Sequence, residues 1–129
     1  MDSKDLNIGD FVKHSGVTKI VDAVYLYSVS VHDPSEEWSI SEAKTYPVDD
    51  IEPIKLTEDI LVKNGTKISS FTGTLYWFNE DEHCCVKPIE DTFLFMYSKG
   101  ADYITFRINY VYQLQHLLRL CGIEKELTI

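Results

Sequence analysis

"LTEDILVKNG", residues 56–65, is where the grammar of this 129-residue chain changes. Thr57 can cap the backbone amides ahead of it, and Glu58 and Asp59 suit the positive N-terminal end of a helix. Ile60 and Leu61 supply an apolar face, Lys63 suits the C-terminal end, and Asn64-Gly65 reads as a left-handed stop. Two turns of helix do not hold alone in water, so this segment has to dock on its neighbours. It divides the chain at 55/56 into a 1–55 part and a 56–129 part.

Upstream, short β-rich runs alternate with polar turns. Phe11 and Val12 precede a Ser15-Gly16 turn. The run "VTKIVDAVYLYSVSVH" follows, with Val17, Ile20, Val24, Leu26, Val29 and Val31 as its apolar members. Alternation slips at Asp22-Ala23, the mark of a bulge or bend. "DPSEEW" (33–38) reads as a turn and "WSISEA" (38–43) as another short strand, while Pro47 and Pro53 bracket a last extended piece. Such a pattern predicts a small, curved antiparallel barrel or sheet.

Downstream, a polar stretch at "KISSFTG" leads into "TLYWFN", "HCCVKPI", "TFLFMYS" and "DYITFRI", a meander of three or four aromatic-rich strands. Pro88 reads as an edge or strand-end residue. The chain then closes on a helix whose Val111, Leu114, Leu118 and Cys121 form one stripe, widened by Leu117. Asn109 is its expected cap and Gly122 its stop, with Ile123 folding back on Leu118. Gln113, Gln115, His116 and Arg119 fall on the wet side, and "EKELTI" offers a final strand.

Three blocks, "LNIGDFV", "IEPIKLTEDILVKNG" and "YVYQLQHLLRLCGIEKEL", resemble a family of small uncharacterised proteins encoded by Bacteroides-type gut bacteria, their prophages and their phages. The resemblance implies an SH3-like N-terminal barrel, then a helix, a meander and a closing helix. Joined to the residue pattern, it makes the expected fold α+β: an SH3-like β-barrel over 1–55 and an α-β-meander-α unit over 56–129. The family pattern has histidine where this chain has Tyr112, and an aromatic where it has Thr66. It carries no activity, only a setting: an accessory protein of a phage or mobile element, of the kind that can inhibit a host protein.

Totals narrow the chemistry. Twelve basic and 21 acidic residues give a net charge of −9, with only two arginines, Arg107 and Arg119. That balance disfavours phosphate backbones and anionic membranes and allows a basic protein partner. A nucleic-acid reading requires Lys13, Lys19, Lys44 and Lys55 to converge on one face. No apolar run approaches the roughly 20 residues of a membrane span. A polar, acidic N-terminus and three cysteines, two of them adjacent, fit a reducing cytoplasm.

The best catalytic or metal candidate is "EDEHCCVKP", where His83 and Cys85 would share one strand face and Cys84 the other. A zinc site needs further ligands from Asp81, His116, Cys121 or His14, and no paired ligand spacing is present. Cys84 with His116, or Cys121 with a distant histidine, would be the nucleophile pair of an enzyme reading. The chain lacks GxSxG and phosphate-cradling glycine loops, so the expectation is a protein without catalysis or cofactor. Its expected partner-binding residues are Tyr76, Trp77, Phe95 and Tyr97, with the acidic Asp49, Asp50, Glu80, Asp81 and Glu82. Core burial and self-association are the competing uses of those aromatics.

Overall fold

The structure is a computed structural model that describes residues 2–34, 43–71, 73–79 and 83–129. Its chain divides into two compact units, one formed by Met1–Ile54 with Tyr110–Tyr112 and the other by Lys55–Asn109 with Gln113–Ile129.

In the first unit, β1 (Phe11–His14), β2 (Val17–Val24), β3 (Ser28–His32), β4 (Lys44–Pro47) and β5 (Ile51–Pro53) form one antiparallel sheet in the order β4-β3-β2-β1-β5. The anticipated irregularity is real: the β2–β3 register shifts between Val21 and Ala23, leaving Asp22 as the bulged residue. Leu6, Val12, Val21, Val29, Val31, Val48 and Ile51 pack as the core, with Val24, Tyr46 and Tyr112 against it. The sheet curls enough for His14 on β1 to stack on Tyr46 of β4, their ring centroids 3.6 Å apart.

It does not close. Among the described residues no ladder joins β4 to β5, and each of these edge strands ends in a proline that has no N–H to donate. The expected SH3-like barrel is therefore corrected to an open, curved sheet. The strand expected at "WSISEA" lies in residues 38–42, outside the described part of the chain, apart from Ala43, which is in no strand.

The second unit carries a second antiparallel sheet, in the order β10-β9-β8-β7-β6. Its strands are β6 (Thr66–Ser70), β7 (Gly73–Asn79), β8 (Cys84–Ile89), β9 (Thr92–Lys99) and β10 (Asp102–Ile108). With ten strands among the described residues, the molecule is mostly β rather than α+β. β6 is the strand that hydropathy hid, because "TKISS" is a polar edge paired to β7. Pro88 lies in the central strand, where its ladder with β9 continues while the pairing of β7 with β8 stops at Val86.

Helix α1 (Glu58–Asn64) is capped as expected, Thr57 Oγ1 accepting from the Ile60 amide at 3.4 Å. Its stop differs. Gly65 is extended (φ −123°), and what requires glycine is a close approach: a Cβ there would sit 3.2 Å from the Trp77 carbonyl oxygen. Buried Asn64 binds the C-terminal tail in place of a strand, its Nδ2 donating to the carbonyls of Ile60 and Thr128 and its Oδ1 accepting from the Thr128 amide at 2.6 Å. Among the described residues, 123–129 contains no strand. Asn64→Ala leaves two backbone groups of Thr128 without that partner. It is expected to cost about 2–3 kcal/mol in urea unfolding and to open the tail to carboxypeptidase.

Helix α2 (Val111–Leu120) ends as read from the sequence: Ile123 N–H donates to Leu118 O at 2.8 Å and Gly122 N–H to Arg119 O at 3.0 Å, with Gly122 at φ +74°. Its start is different. Asn109 Oδ1 accepts from the Thr92 hydroxyl, while the Asn109 amide donates to the Gln113 side chain. Gln115 is buried rather than wet. Tyr112 packs on the first unit's core, and its hydroxyl pKa is raised by burial and then by the charges of Asp5 and Asp10 and by Tyr110. The position where the resembled pattern has histidine is thus a packing position.

Candidate protein-binding surfaces

Cross-strand register sorts the aromatic strands by face. Tyr76, Val86 and Phe95 are successive partners across β7, β8 and β9, and all three are fully buried. The Tyr76 hydroxyl donates to Glu58 Oε2 at 3.2 Å, which places α1 over this face. Desolvation raises the pKa of that hydroxyl, and the hydrogen bond and charge of Glu58 raise it further. Tyr97, two residues beyond Phe95, is buried as well. Tyr76, Phe95 and Tyr97, expected to meet a partner, are therefore corrected to core, because the helical side of a one-sided sheet is where aromatic area leaves water.

Trp77 belongs to the opposite row. It pairs with Cys85, which pairs with Met96, and both Trp77 and Met96 are half-buried on the outer face. Its indole meets the His83 imidazole edge-on at 6.2 Å. His83 itself stands before β8 in an exposed turn with φ +50°, so it does not share a strand face with Cys85 as expected. Burial raises the Cys85 thiol pKa, which keeps the sulfur protonated and a poor ligand or nucleophile. No group of three or more His, Cys, Asp or Glu able to hold an ion occurs among the described residues.

The most exposed aromatic cluster lies elsewhere. Tyr25, Leu26 and Tyr27 form the tip of the β2–β3 hairpin and are 55%, 66% and 76% exposed. This tip is held on three sides. Tyr25 N–H donates to Ser28 O at 2.9 Å, Ser3 Oγ to Leu26 O at 2.7 Å, and Val48 N–H to Tyr27 O at 2.9 Å. Leu26 and Tyr27 line a shallow depression together with Asp2, Lys4, Val48 and Asp49. Asp49 and Asp50 are exposed on the short 3₁₀ turn Val48–Asp50. Counting Leu26 among the apolar members of one strand run missed this site. Three large apolar residues in a row fit no alternating strand, and that was the available signal.

No protein-family model, curated protein or solved structure matches this chain. Geometry alone must therefore weigh the surfaces. Lys13 is the register partner of Thr18 and Glu52, whereas Lys19 is the partner of buried Val12, which puts the two lysines on opposite faces. Lys19 is also ion-paired to Asp33. The convergence a nucleic-acid face requires does not form on this sheet. Glu80, Asp81 and Glu82 lie outside the described residues. No helix among the described residues is long and apolar enough to cross a membrane.

Proposed function

We propose that the protein is a non-catalytic binding protein whose aromatic hairpin tip docks on a basic protein partner. The observation that carries this reading is the exposure of Tyr25, Leu26 and Tyr27 on a backbone held by three hydrogen bonds. An exposed apolar run is a liability in a protein that binds nothing there. Tyrosines already fixed in place lose little entropy on docking, which is why such residues become binding hot spots. Asp2 and Asp49 border the tip, with Lys4 the cation among the residues lining the depression. Together with the net charge of −9 they favour a partner with a basic surface. The resemblance to phage and prophage proteins makes a bacterial host protein the partner proposed, bound in the manner of an inhibitor.

Replacing Tyr25, Leu26 and Tyr27 together with serine tests this. Urea midpoints are expected to move little, since exposed substitutions stay within about 0.5 kcal/mol each. Affinity for a partner captured from host lysate is expected to fall at least 30-fold, the loss of about 2 kcal/mol typical of one tyrosine hot spot. Undiminished binding by the folded triple variant would remove the tip from the interface.

A further inference from the structure

Among the described residues, the second sheet ends on a strand that has no proline, lysine or bulge and whose charges are Asp102 and Arg107. Of the four edge strands among the described residues, β4 and β5 end in proline, and β6 is short, polar and carries Lys67. β10 is seven residues long, has neither proline nor lysine, and pairs with β9 from Asp102 to Ile108 without a bulge. Natural edges of that length are blunted by proline, a bulge, charged side chains (lysine above all) or a covering element unless they are used, and here one mid-strand charge, Arg107, stands beside exposed Tyr103 and Phe106. Tyr103 is 66% and Phe106 49% exposed, and Thr105 and Arg107 are exposed beside them.

We infer that β10 is a dimerisation edge, pairing antiparallel with β10 of a second copy about a two-fold axis at Thr105. The register follows from the residues. Centring on Thr105 uses the whole strand, and residues opposite each other then share a face. Tyr103 faces Arg107 of the second copy, and Arg107 faces its Tyr103, giving two cation–π pairs on one side of the joined sheet. Ile104 and Phe106 oppose each other twice on the other side, the β-branched–aromatic pairing that stabilises ladders. No like charges stand opposite, because Asp102 meets Ile108. Shifting the centre to Ile104 or to Phe106 shortens the ladder and breaks the Tyr103–Arg107 pairs.

The cleft beside the strand fits the same arrangement. Phe106, Arg107 and Ile108 line it from β10, and Gln113, His116 and Leu117 line it from α2. Ile104 of the second copy, opposite Phe106, arrives at the mouth of this cleft. A symmetric contact of this kind closes on itself and joins two five-stranded sheets into one of ten strands.

Sedimentation equilibrium of the full chain from micromolar to several hundred micromolar is the test. The mass is expected to rise with concentration from 14.9 kDa towards twice that value. Tyr103→Lys places an introduced lysine opposite Arg107 of the second copy, twice per dimer, and is expected to raise the dissociation constant about tenfold. Combining Tyr103→Lys with Arg107→Glu restores opposite charges across the axis and is expected to recover dimerisation. Both positions are exposed, so circular dichroism and the melting temperature should hold in each variant. A monomer at every concentration overturns the inference and leaves the edge to a foreign strand. So does self-association that ignores Tyr103→Lys, or a double variant no better than the single one.

Discussion

Phe95→Ser is expected to destabilise the protein by about 4 kcal/mol, a large share of the roughly 5–15 kcal/mol that holds a domain folded. Phe95 is fully buried between Val86 on β8 and Phe106 on β10 in its cross-strand row. Removing a buried ring costs about 3–5 kcal/mol, and the serine hydroxyl left behind has to find a partner in an apolar site. Trp77→Ser, in the neighbouring row on the outer face, is expected to cost less than about 2 kcal/mol, because a half-buried indole has already kept part of its surface in water. Urea unfolding followed by circular dichroism measures both. Equal losses at the two positions would mean that the outer face is as deeply packed as the inner one. The contrast matters functionally, since it decides which of these aromatics is available to a partner.

Strand alternation puts Tyr76 and Trp77 on opposite faces, yet both were expected to meet a partner, with core burial the competing use of each. Which row the helices cover was not written in the strands. It is settled by Glu58 on α1 reaching the Tyr76 hydroxyl, a contact across 18 positions of the chain. The Gly122 stop and the Thr57 cap were legible because caps are made by residues within one turn of each other. Barrel closure was not, because it depends on whether β4 meets β5, and a three-residue β5 pairs instead with β1. Nor was the role of Asn64, which looked like a helix stop and proves to hold Thr128, 64 positions away. The candidate site shows the same limit. Tyr25-Leu26-Tyr27 was visible as an apolar run, but its outward fate follows from where the hairpin turns, β2 ending at Val24 and β3 starting at Ser28.

The bulge in β2 sets up the second large effect. Asp22 is the extra residue between Val21 and Ala23, and bulges re-aim the side chain they carry. Its Oδ1 hydrogen-bonds to Nδ1 of His32, the register partner of Ile20, with the Asp22 side chain 7% and the His32 side chain 11% exposed. Asp22 Oδ2 is buried and has no hydrogen-bond partner among the described residues. Among the described residues, His32 is thus the side chain that hydrogen-bonds this carboxylate removed from water. His32→Ala is expected to cost about 3–5 kcal/mol, most of it the penalty of a buried carboxylate left alone rather than the worth of the hydrogen bond. Asp22→Asn keeps a hydrogen-bonding group without the charge and should cost clearly less. Replacing both residues with apolar side chains of similar volume is expected to recover most of the loss, since it removes the desolvation penalty together with its remedy. A double-mutant cycle read by urea unfolding gives the coupling directly. Additive single effects would show that Asp22 draws its compensation from elsewhere, whereas a near-neutral double variant beside a crippled His32→Ala would establish the pair as a local solution to a carboxylate buried at the bulge.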